Sequence, residues 1–487
     1  MDTTTETERK YEAAAPLPEL TGAGPVTSVR EREPLCLTAV YFDTDDGRLA
    51  ADGITLRRRA GGLDDGWHLK LPVAADVREE IRTSPSGEPP EELLALVRSR
   101  VRRRPLLPVV TLETERAPRD LLNAAGTVLA ELTLDRVTAR AHGPVAHWTE
   151  VEVELTEAGD AGVLDAVEAR LTEAGLTPSP HASKLARALA ETGAPRPAPT
   201  RVEGPADGTA GAHVLAYAGR QLRAMVELDP AVRRAAPDSV HRMRVATRRL
   251  RSCLRSQKDV LDRMLTRPLD EELRWLAAGL GVERDREVMA GRLAARQAEL
   301  PPELRLGPLG QRLASHFTPS APVSGVASLL DEERYLALLD ALDLLLAAPP
   351  LRKPAAKPAA KVLARSVRRD RARLAERVEH ALAAPEGEER DLALHGARKA
   401  AKRARYAAET AVPALGKEAD RQRREFRRVQ RVLGEHQDSV LAREALLRIA
   451  AEAHAAGEPS FAYGLMHARE TELAHGCVRR LAQLRVG

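Results

Sequence analysis

The sequence predicts an α+β protein with two domains, a strand-rich N-terminal half and an all-helical C-terminal half. Short segments of alternating character, such as 54–59 and 149–155, precede residue 193 and are typical of strands. Long Ala-, Leu- and Arg-rich segments follow residue 210 and favour helices. Residues 193–210 are rich in Pro, Gly and polar residues, which predicts a linker. Because 487 residues are too many for one core, we assign separate domains to 1–192 and 211–487.

The composition argues against several classes of protein. The three cysteines are far apart and form no CxxC pair, so neither a disulfide framework nor a zinc site is predicted. The first ten residues lack the apolar run of a signal peptide. The longest leucine-rich run, 335–348, is interrupted by Asp340 and Asp343, which predicts that no segment spans a membrane. We therefore expect a cytoplasmic protein.

The strands of the N-terminal half place charged residues on one face. Side chains at alternate positions of a strand point to the same side, and at least five segments follow this rule with mixed charges. If these faces met around a closed barrel, they would line a polar tunnel. Basic residues there indicate an anionic substrate, and carboxylates among them indicate a hard divalent cation. The residues in question are Glu6, Glu8 and Lys10; Arg57 and Arg59; His68 and Lys70; Arg78, Glu80 and Arg82; Glu131 and Asp135; and Glu150, Glu152 and Glu154.

The motifs of this half, in their order along the chain, resemble those of the CYTH or triphosphate tunnel metalloenzyme family. The segment ETERK at 6–10 matches the family's ExExK motif. It is followed by YFDT at 41–44, ITLRRR at 54–59, WHLKLP at 67–72, REEIR at 78–82, LETER at 112–116, AELTLDRV at 130–137, EVEVEL at 150–155 and SK at 183–184. The resemblance implies an eight-stranded antiparallel tunnel that cleaves a triphosphate group with Mg²⁺ or Mn²⁺.

The resemblance also implies a role for each matching residue. Glu6, Glu8 and Lys10 correspond to the catalytic motif. The implied metal ligands are Glu6, Glu8, Glu150, Glu152 and Glu154. The implied phosphate ligands are Arg57, Arg59, Lys70, Arg82, Arg116 and Lys184, with Glu131 and Asp135 as further members of the site.

The helical half contains an internal duplication. The segment HRMRVATRRLRS, which begins at His241, recurs as HGARKAAKRARY from His395. A Pro- and Ala-rich break at 349–361 separates the two copies. The spacing predicts two similar halves, 211–348 and 361–487, rather than a solenoid of short repeats.

Both copies carry basic residues at i, i+3 and i+4 spacing, which places them on one helix face. Like charges at this spacing repel by roughly 0.2–0.5 kcal/mol per pair, so a stripe without interleaved carboxylates indicates an external anion. A solvated basic surface is the alternative interpretation, and metal binding by the two histidines is a second one. The predicted anion ligands are His241, Arg244, Arg248, Arg251 and Arg255 in the first copy; His395, Arg398, Lys402 and Arg405 in the second; and Lys361, Arg365 and Arg368 in a further stripe.

Phosphate is the anion that suits these side chains, because Arg binds it as a fork and Lys as a point charge. Nucleic acid is the rival ligand, but aromatic residues for base stacking are only 3% of the chain. The sequence contains no helix-turn-helix, zinc-finger or RNA-binding signature. A chain made of phosphate throughout needs charge and no base recognition.

The duplicated blocks resemble the CHAD family, the conserved histidine α-helical domain, over about residues 211–487. This resemblance implies two pseudo-symmetric four-helix bundles around a basic pore or groove that binds inorganic polyphosphate.

These inferences lead to one principal hypothesis and two alternatives. The principal hypothesis is a metal-dependent inorganic triphosphatase coupled to a polyphosphate-binding domain, in the cytoplasm and associated with polyphosphate granules. The first alternative is a non-catalytic granule protein whose tunnel only binds chain ends. The second is a nucleotide cyclase or nucleoside triphosphatase of the same barrel family. The sequence does not determine the oligomeric state or the preferred metal.

Overall fold

The structure is a computed structural model. It describes residues 1–13, 15–62, 64–74, 76–141, 143–193, 205–318 and 325–484, apart from the side chains of 283 and 284. The chain forms two compact units, Met1–Pro199 and Thr200–Gly487. Most of the predicted linker 193–210 lies outside the described residues, and its last residue, Ala210, begins a helix.

The N-terminal unit is built from strands, with four helices between or after them. The strands are β1 (Asp2–Glu12), β2 (Ser28–Glu31), β3 (Leu35–Asp43), β4 (Thr55–Ala60), β5 (Gly66–Pro72), β6 (Val77–Thr83), β7 (Leu107–Leu122), β8 (Val128–Arg140), β9 (Ala146–Leu155) and β10 (Thr177–Pro178). The helices are α1 (Arg48–Ala51), α2 (Glu91–Val101), α3 (Ala161–Glu173) and α4 (Lys184–Glu191).

Eight of these strands close into a barrel, which confirms the predicted fold of this half. Their order is β1-β6-β5-β4-β3-β7-β8-β9, and β9 pairs with β1 to close the ring. Every pairing is antiparallel. The short strand β2 pairs with the C-terminal end of β7, and β10 pairs with the C-terminal end of β1.

The alternation along β9 shows why the barrel has a charged interior. Val151 and Val153 point outwards and pack in one core with Val163 and Val167 of α3. Burying each of these apolar side chains contributes about 1.5–3 kcal/mol. Helix α3 is held in place at its start by Asp160, whose carboxylate accepts hydrogen bonds from two backbone N–H groups. The alternate residues of β9 are glutamates, which therefore face inwards.

The C-terminal unit is helical among its described residues. Its α-helices are α5 (Ala210–Arg233), α6 (Ser239–Ser256), α7 (Arg263–Gly279), α8 (Val282–Ala298), α9 (Leu309–Phe317), α10 (Val326–Asp331), α11 (Glu333–Ala347), α12 (Ala359–Ala383), α13 (Glu388–Leu415), α14 (Lys417–Ala455) and α15 (Phe461–Gln483). None of the described helices has the length and apolar character needed to cross a lipid bilayer.

The two copies correspond in several of their helices but do not have separate cores. Helices α5 and α6 of the first copy correspond to α12 and α13 of the second. The long helix α14 corresponds to α7 and α8 together, which are interrupted near Gly281. One core combines α5, α6 and α7 with α12, α13 and the first half of α14. A second core combines α8 and α9 with α15 and the other half of α14.

Candidate active site and basic cavity

The closing pair of the barrel brings two predicted motifs face to face. Glu8 of β1 lies opposite Glu154 of β9, and Lys10 lies opposite Glu152. Because side chains alternate along each strand, these residues project to the same side of the sheet. The ExExK motif and the glutamates of β9 therefore form one surface inside the barrel.

A cavity of about 780 Å³ lies inside the barrel, and we call it the tunnel cavity. Its lining includes the predicted residues Glu6, Glu8, Lys10, Arg57, Arg59, Lys70, Arg82, Arg116, Glu152, Glu154 and Lys184. Glu131 also lines the tunnel cavity, whereas Glu150 and Asp135 are buried outside this lining. The sequence thus identified side chains that the fold brings together from distant parts of the chain.

Three carboxylates form an acidic cluster in the tunnel cavity, Glu6, Glu8 and Glu154. Each offers an oxygen within 4.8 Å of the others. Glu6 lies 2.5 Å from Nζ of Lys70, and Glu8 lies 2.9 Å from Nζ of Lys10. Burial, and then the negative charges of the neighbouring glutamates, raise the pKa of Glu154 to about 7. A divalent cation would relieve this repulsion, so the donor set fits a hard metal ion.

The remaining predicted metal ligands belong to a second acidic cluster. Glu150 and Glu152 form a second cluster with Asp135, which surrounds the side chain of Lys184. Nζ of Lys184 lies 3.0 Å from Asp135, 2.7 Å from Glu150 and 2.6 Å from Glu152. Lys184, predicted as a phosphate ligand, lines the tunnel cavity and neutralises the carboxylates of this second cluster.

Arg57 and Arg59 of β4 supply positive charge on another side of the tunnel cavity. Their Nε atoms are buried and have no hydrogen-bond partner among the residues that the structure describes. Burial and the neighbouring guanidinium of Arg57 lower the pKa of Arg59. Unbonded N–H groups and mutual repulsion both favour an added anion. Arg116, by contrast, already donates two hydrogen bonds to Asp135, at 2.9 and 2.7 Å.

Glu80 was predicted to lie on the inner face of the barrel, but no role in the site was predicted for it. Its carboxylate is buried and bonds to His68 Nδ1 at 3.0 Å and to Arg82. Despite its burial, the bond to His68 and the charge of Lys70 hold the pKa of Glu80 below its usual range. The alternation Arg78, Glu80, Arg82 already placed it on the inner face. Only the paired neighbours reveal that it positions Lys70 and Arg82.

A second cavity, of about 510 Å³, lies between α6, α12 and α13, and we call it the basic cavity. Six predicted anion ligands line it, namely Arg248, Arg251, Arg255, His395, Arg398 and Lys402. The other predicted ligands are not part of this lining: His241, Arg244, Lys361, Arg365, Arg368 and Arg405. Arg373, Arg377, Lys399 and Arg403 line it although the sequence analysis did not select them. Arg373 and Arg377 could have been predicted from the sequence, because they continue a series at i+4 spacing that begins with Arg365 and Arg369.

Comparison with known proteins assigns a family to each half of the chain. Residues 4–189 match the CYTH domain family, and residues 216–447 match the CHAD domain family. Uncharacterized proteins from two strains of Mycobacterium tuberculosis are 38% identical over 98% of this chain and 94% of their own length. The chain belongs to the family of proteins that join a CYTH domain to a CHAD domain. Both resemblances drawn from the motifs are therefore confirmed.

Solved structures with low sequence identity match the individual domains. PptA from Streptomyces chartreusis is 20% identical, covers 56% of this chain and 99% of its own, and has a TM-score of 0.46. The CHAD domain from the plant Ricinus communis is 24% identical, covers 58% and 94%, and has a TM-score of 0.43. A Hippeastrum protein assigned as an adenylyl cyclase, with a dominant triphosphatase activity, is 19% identical, covers 38% and 96%, and has a TM-score of 0.24.

CYTH family members are triphosphatases or cyclases, and their tunnels typically use divalent metals. In the CYTH domain of this chain the acidic cluster and the two arginines of β4 lie in the same cavity. That arrangement can hold a cation and an anion together, which is the requirement of phosphate chemistry with a metal.

Two cations of the CHAD domain face its basic cavity without a counter-ion. Arg248 and Lys402 hold equivalent positions in the two copies and both line the cavity. Among the described residues, neither forms a hydrogen bond or an ion pair. Burial, and then the charges of Arg398 and Arg248, lower the pKa of Lys402 to about 7. Uncompensated and half-buried positive charge of this kind favours a bound polyanion.

Proposed function

We propose that the CYTH domain is a metal-dependent inorganic triphosphatase and that the CHAD domain binds inorganic polyphosphate. The observation that carries the first part is the tunnel cavity, in which the acidic cluster and the unbonded N–H groups of Arg57 and Arg59 lie together. The reaction adds water to one phosphoanhydride bond of triphosphate and yields pyrophosphate and phosphate.

Glu6, Glu8 and Glu154 are the residues that would hold the cation, either Mg²⁺ or Mn²⁺, since carboxylate oxygens suit both. When bound, such an ion neutralises phosphate charge and lowers the pKa of bound water. Arg57 and Arg59 bind the phosphoryl oxygens and spread the charge that develops during transfer. Glu80 positions Lys70 and Arg82 for the same purpose.

The lining of the tunnel cavity supports an inorganic substrate. Tyr41 is the one aromatic side chain among its described lining residues, and its hydroxyl accepts a hydrogen bond from Arg57 at 3.2 Å. A nucleotide needs an apolar or aromatic surface for its base. Triphosphate needs only charge and hydrogen-bond donors, which this cavity supplies.

The basic cavity supports the second part of the proposal. Arg248 and Lys402 are available to phosphate oxygens, and Arg398 and Arg255 stand beside them in the lining. Polyphosphate carries a negative charge on every unit, so it can bind several of these cations at once without a base-specific contact.

One assay panel tests the proposal. Purified full-length protein is given Mg²⁺ or Mn²⁺ with triphosphate, ATP, thiamine triphosphate or long-chain polyphosphate, and phosphate release is measured. We expect triphosphate to have the highest kcat/KM and the Glu6→Gln/Glu8→Gln double variant to lose metal-dependent hydrolysis. Glu79→Gln, on the strand β6 that pairs with β1, is the control for loss of a carboxylate.

Other outcomes of the panel favour the alternatives. Equal or better efficiency with ATP would make the protein a nucleotide enzyme. Polyphosphate binding without hydrolysis of any substrate would make it a binding protein. Wild-type turnover in the double variant would remove Glu6 and Glu8 from the site.

A further inference from the structure

In the first copy of the CHAD repeat, a buried carboxylate forms ion pairs with arginines of the same copy. Asp270 of α7 is buried. Its oxygens lie 2.8 Å from Nε of Arg251, 2.6 Å from Arg263 and 3.9 Å from Arg255. Arg251 and Arg255 belong to the lining of the basic cavity. Part of the positive surface is therefore neutralised before any ligand binds.

The second copy has no acidic residue at the corresponding place. Arg251 corresponds to Arg405, whose guanidinium donates to the neutral amide of Gln430 at 3.0 Å. Both copies contain a Leu-Gly pair, at 280–281 and at 433–434. Asp270 precedes the first pair by the same number of residues as Arg423 precedes the second. An acid in one copy is thus an arginine in the other.

A second pair of equivalent arginines differs in the same direction. Arg244 donates two hydrogen bonds to Asp285, at 2.7 and 2.9 Å. Its counterpart Arg398 lies 3.9 Å from Asp438, beyond hydrogen-bond distance. Arg244 and Arg251 of the first copy are thus held by carboxylates at hydrogen-bond distance. Their counterparts Arg398 and Arg405 are not.

We propose that Asp270 is an internal counter-anion for Arg251 and Arg255. Polyphosphate is then held mainly by the cations that no described carboxylate holds at hydrogen-bond distance, Arg248, Arg398 and Lys402. This inference rests on the proposed polyphosphate binding. It assigns to Asp270 the role of limiting how far bound polyphosphate extends along the basic cavity. A phosphate unit reaches Arg251 and Arg255 only by competing with the carboxylate of Asp270. The end of α6 that carries Arg251 and Arg255 is therefore a restrained extension of the binding surface.

Two reciprocal variants of the full-length protein test the role of Asp270. Asp270→Asn releases Arg251, Arg255 and Arg263, so we expect roughly tenfold tighter binding of long-chain polyphosphate in EDTA. The slope of log affinity against log salt concentration should become steeper by about two. Gln430→Glu places a carboxylate beside Arg405 and should weaken binding by a similar factor. Glu272→Gln is the matched control, because it removes a carboxylate of the same helix that bonds Arg334 at 2.6 Å.

The outcomes separate this inference from the proposed function. If the wild-type protein binds polyphosphate and Asp270→Asn behaves like Glu272→Gln, the internal counter-anion is refuted. If the wild-type protein does not bind polyphosphate, the proposed function itself fails. Thermal unfolding with and without polyphosphate accompanies each measurement. A destabilised but folded Asp270→Asn protein should gain more from the ligand than the wild type, and an equal gain counts against the inference.

Discussion

The ammonium group of Lys184 lies 2.6 Å from the carboxylate of Glu152 and makes similar contacts with Asp135 and Glu150. Lys184 is the first residue of α4, directly after the N-cap residue Ser183. Its side chain is 9% exposed. Lys184 thus shares the compensation of these carboxylates with Arg116 and fixes α4 against the barrel.

Lys184→Met should destabilise the protein by about 3–5 kcal/mol at pH 8, because the second cluster loses its central cation and, of its three carboxylates, Arg116 contacts only Asp135 and Glu152. Lys184 is one of the charges that hold the pKa values of Asp135 and Glu152 low. Without it these two carboxylates take up protons more readily in the folded variant, so its deficit in stability shrinks as the pH falls towards 5. Denaturant unfolding at the two pH values checks this. Mn²⁺ should raise the Tm of the variant more than that of the wild type. An equal loss of stability at both pH values would contradict the explanation.

Metal binding should release about one proton at pH 6, because Glu154 has a pKa near 7 and must be ionised to act as a ligand. The raised pKa also means that metal-free protein loses stability as the pH rises from about 4.5 through 7. Glu154→Gln should abolish both effects. Titration calorimetry in two buffers of different ionisation heat measures the proton release. Undiminished release in the variant would exclude Glu154 as its source.

Arg59→Gln should lower kcat/KM for triphosphate by about a hundredfold, since it removes a charge and buried N–H groups from the tunnel cavity. Arg58 is the matched control, because it lies next to Arg59 on β4 but is exposed. Arg58→Gln should leave kcat/KM within about twofold of the wild type. A similar loss in both variants would indicate a general effect of charge on the strand.

The barrel was predictable because alternation is a local property of the sequence. The alternating charges of β1 and β9 each identify an inner face. The order of the motifs along the chain resembles that of the CYTH family, which implies that the sheet closes into a barrel. The division of the carboxylates between the acidic cluster and the second cluster around Lys184 was not predictable in this way. It depends on the register that sets Glu8 opposite Glu154, and on Lys184, which arrives from a helix after the last barrel strand.

The helical unit shows the same limit. Helical spacing identified the stripes on α6 and α13, and six of their residues line the basic cavity. Spacing alone could not distinguish Arg398 from Arg244, because their carboxylate partners come from other helices. The pairing of Arg251 with Asp270 depends on how α7 packs against α6 and is invisible along a single helix.

Polyphosphate affinity should fall by about fivefold as the pH rises from 6.5 to 8.5. Lys402 has a pKa near 7 and loses its charge over this range. Because this value is below that of an unfolded lysine, the free protein gains stability as the pH rises from 7 to 10.5. Lys402→Arg keeps the charge and should bind almost independently of pH. Fluorescence anisotropy with labelled polyphosphate measures both proteins. A falling affinity in Lys402→Arg would assign the effect to another group.

Full-length protein in EDTA should bind long-chain polyphosphate in preference to duplex DNA of equal charge. A cavity of about 510 Å³ between three helices admits a thin, flexible chain and excludes a wide, rigid helix. Affinity should fall linearly with the logarithm of the salt concentration, since each neutralised phosphate releases counterions. The Arg398→Gln/Lys402→Gln variant should have a lower affinity for polyphosphate. Its slope of log affinity against log salt concentration should be shallower by about 1.4. Its weak binding to DNA should barely change, because duplex DNA contacts only the outer surface. Tighter binding of DNA than of polyphosphate would instead identify a nucleic-acid surface and separate the CHAD domain from the phosphate chemistry of the tunnel.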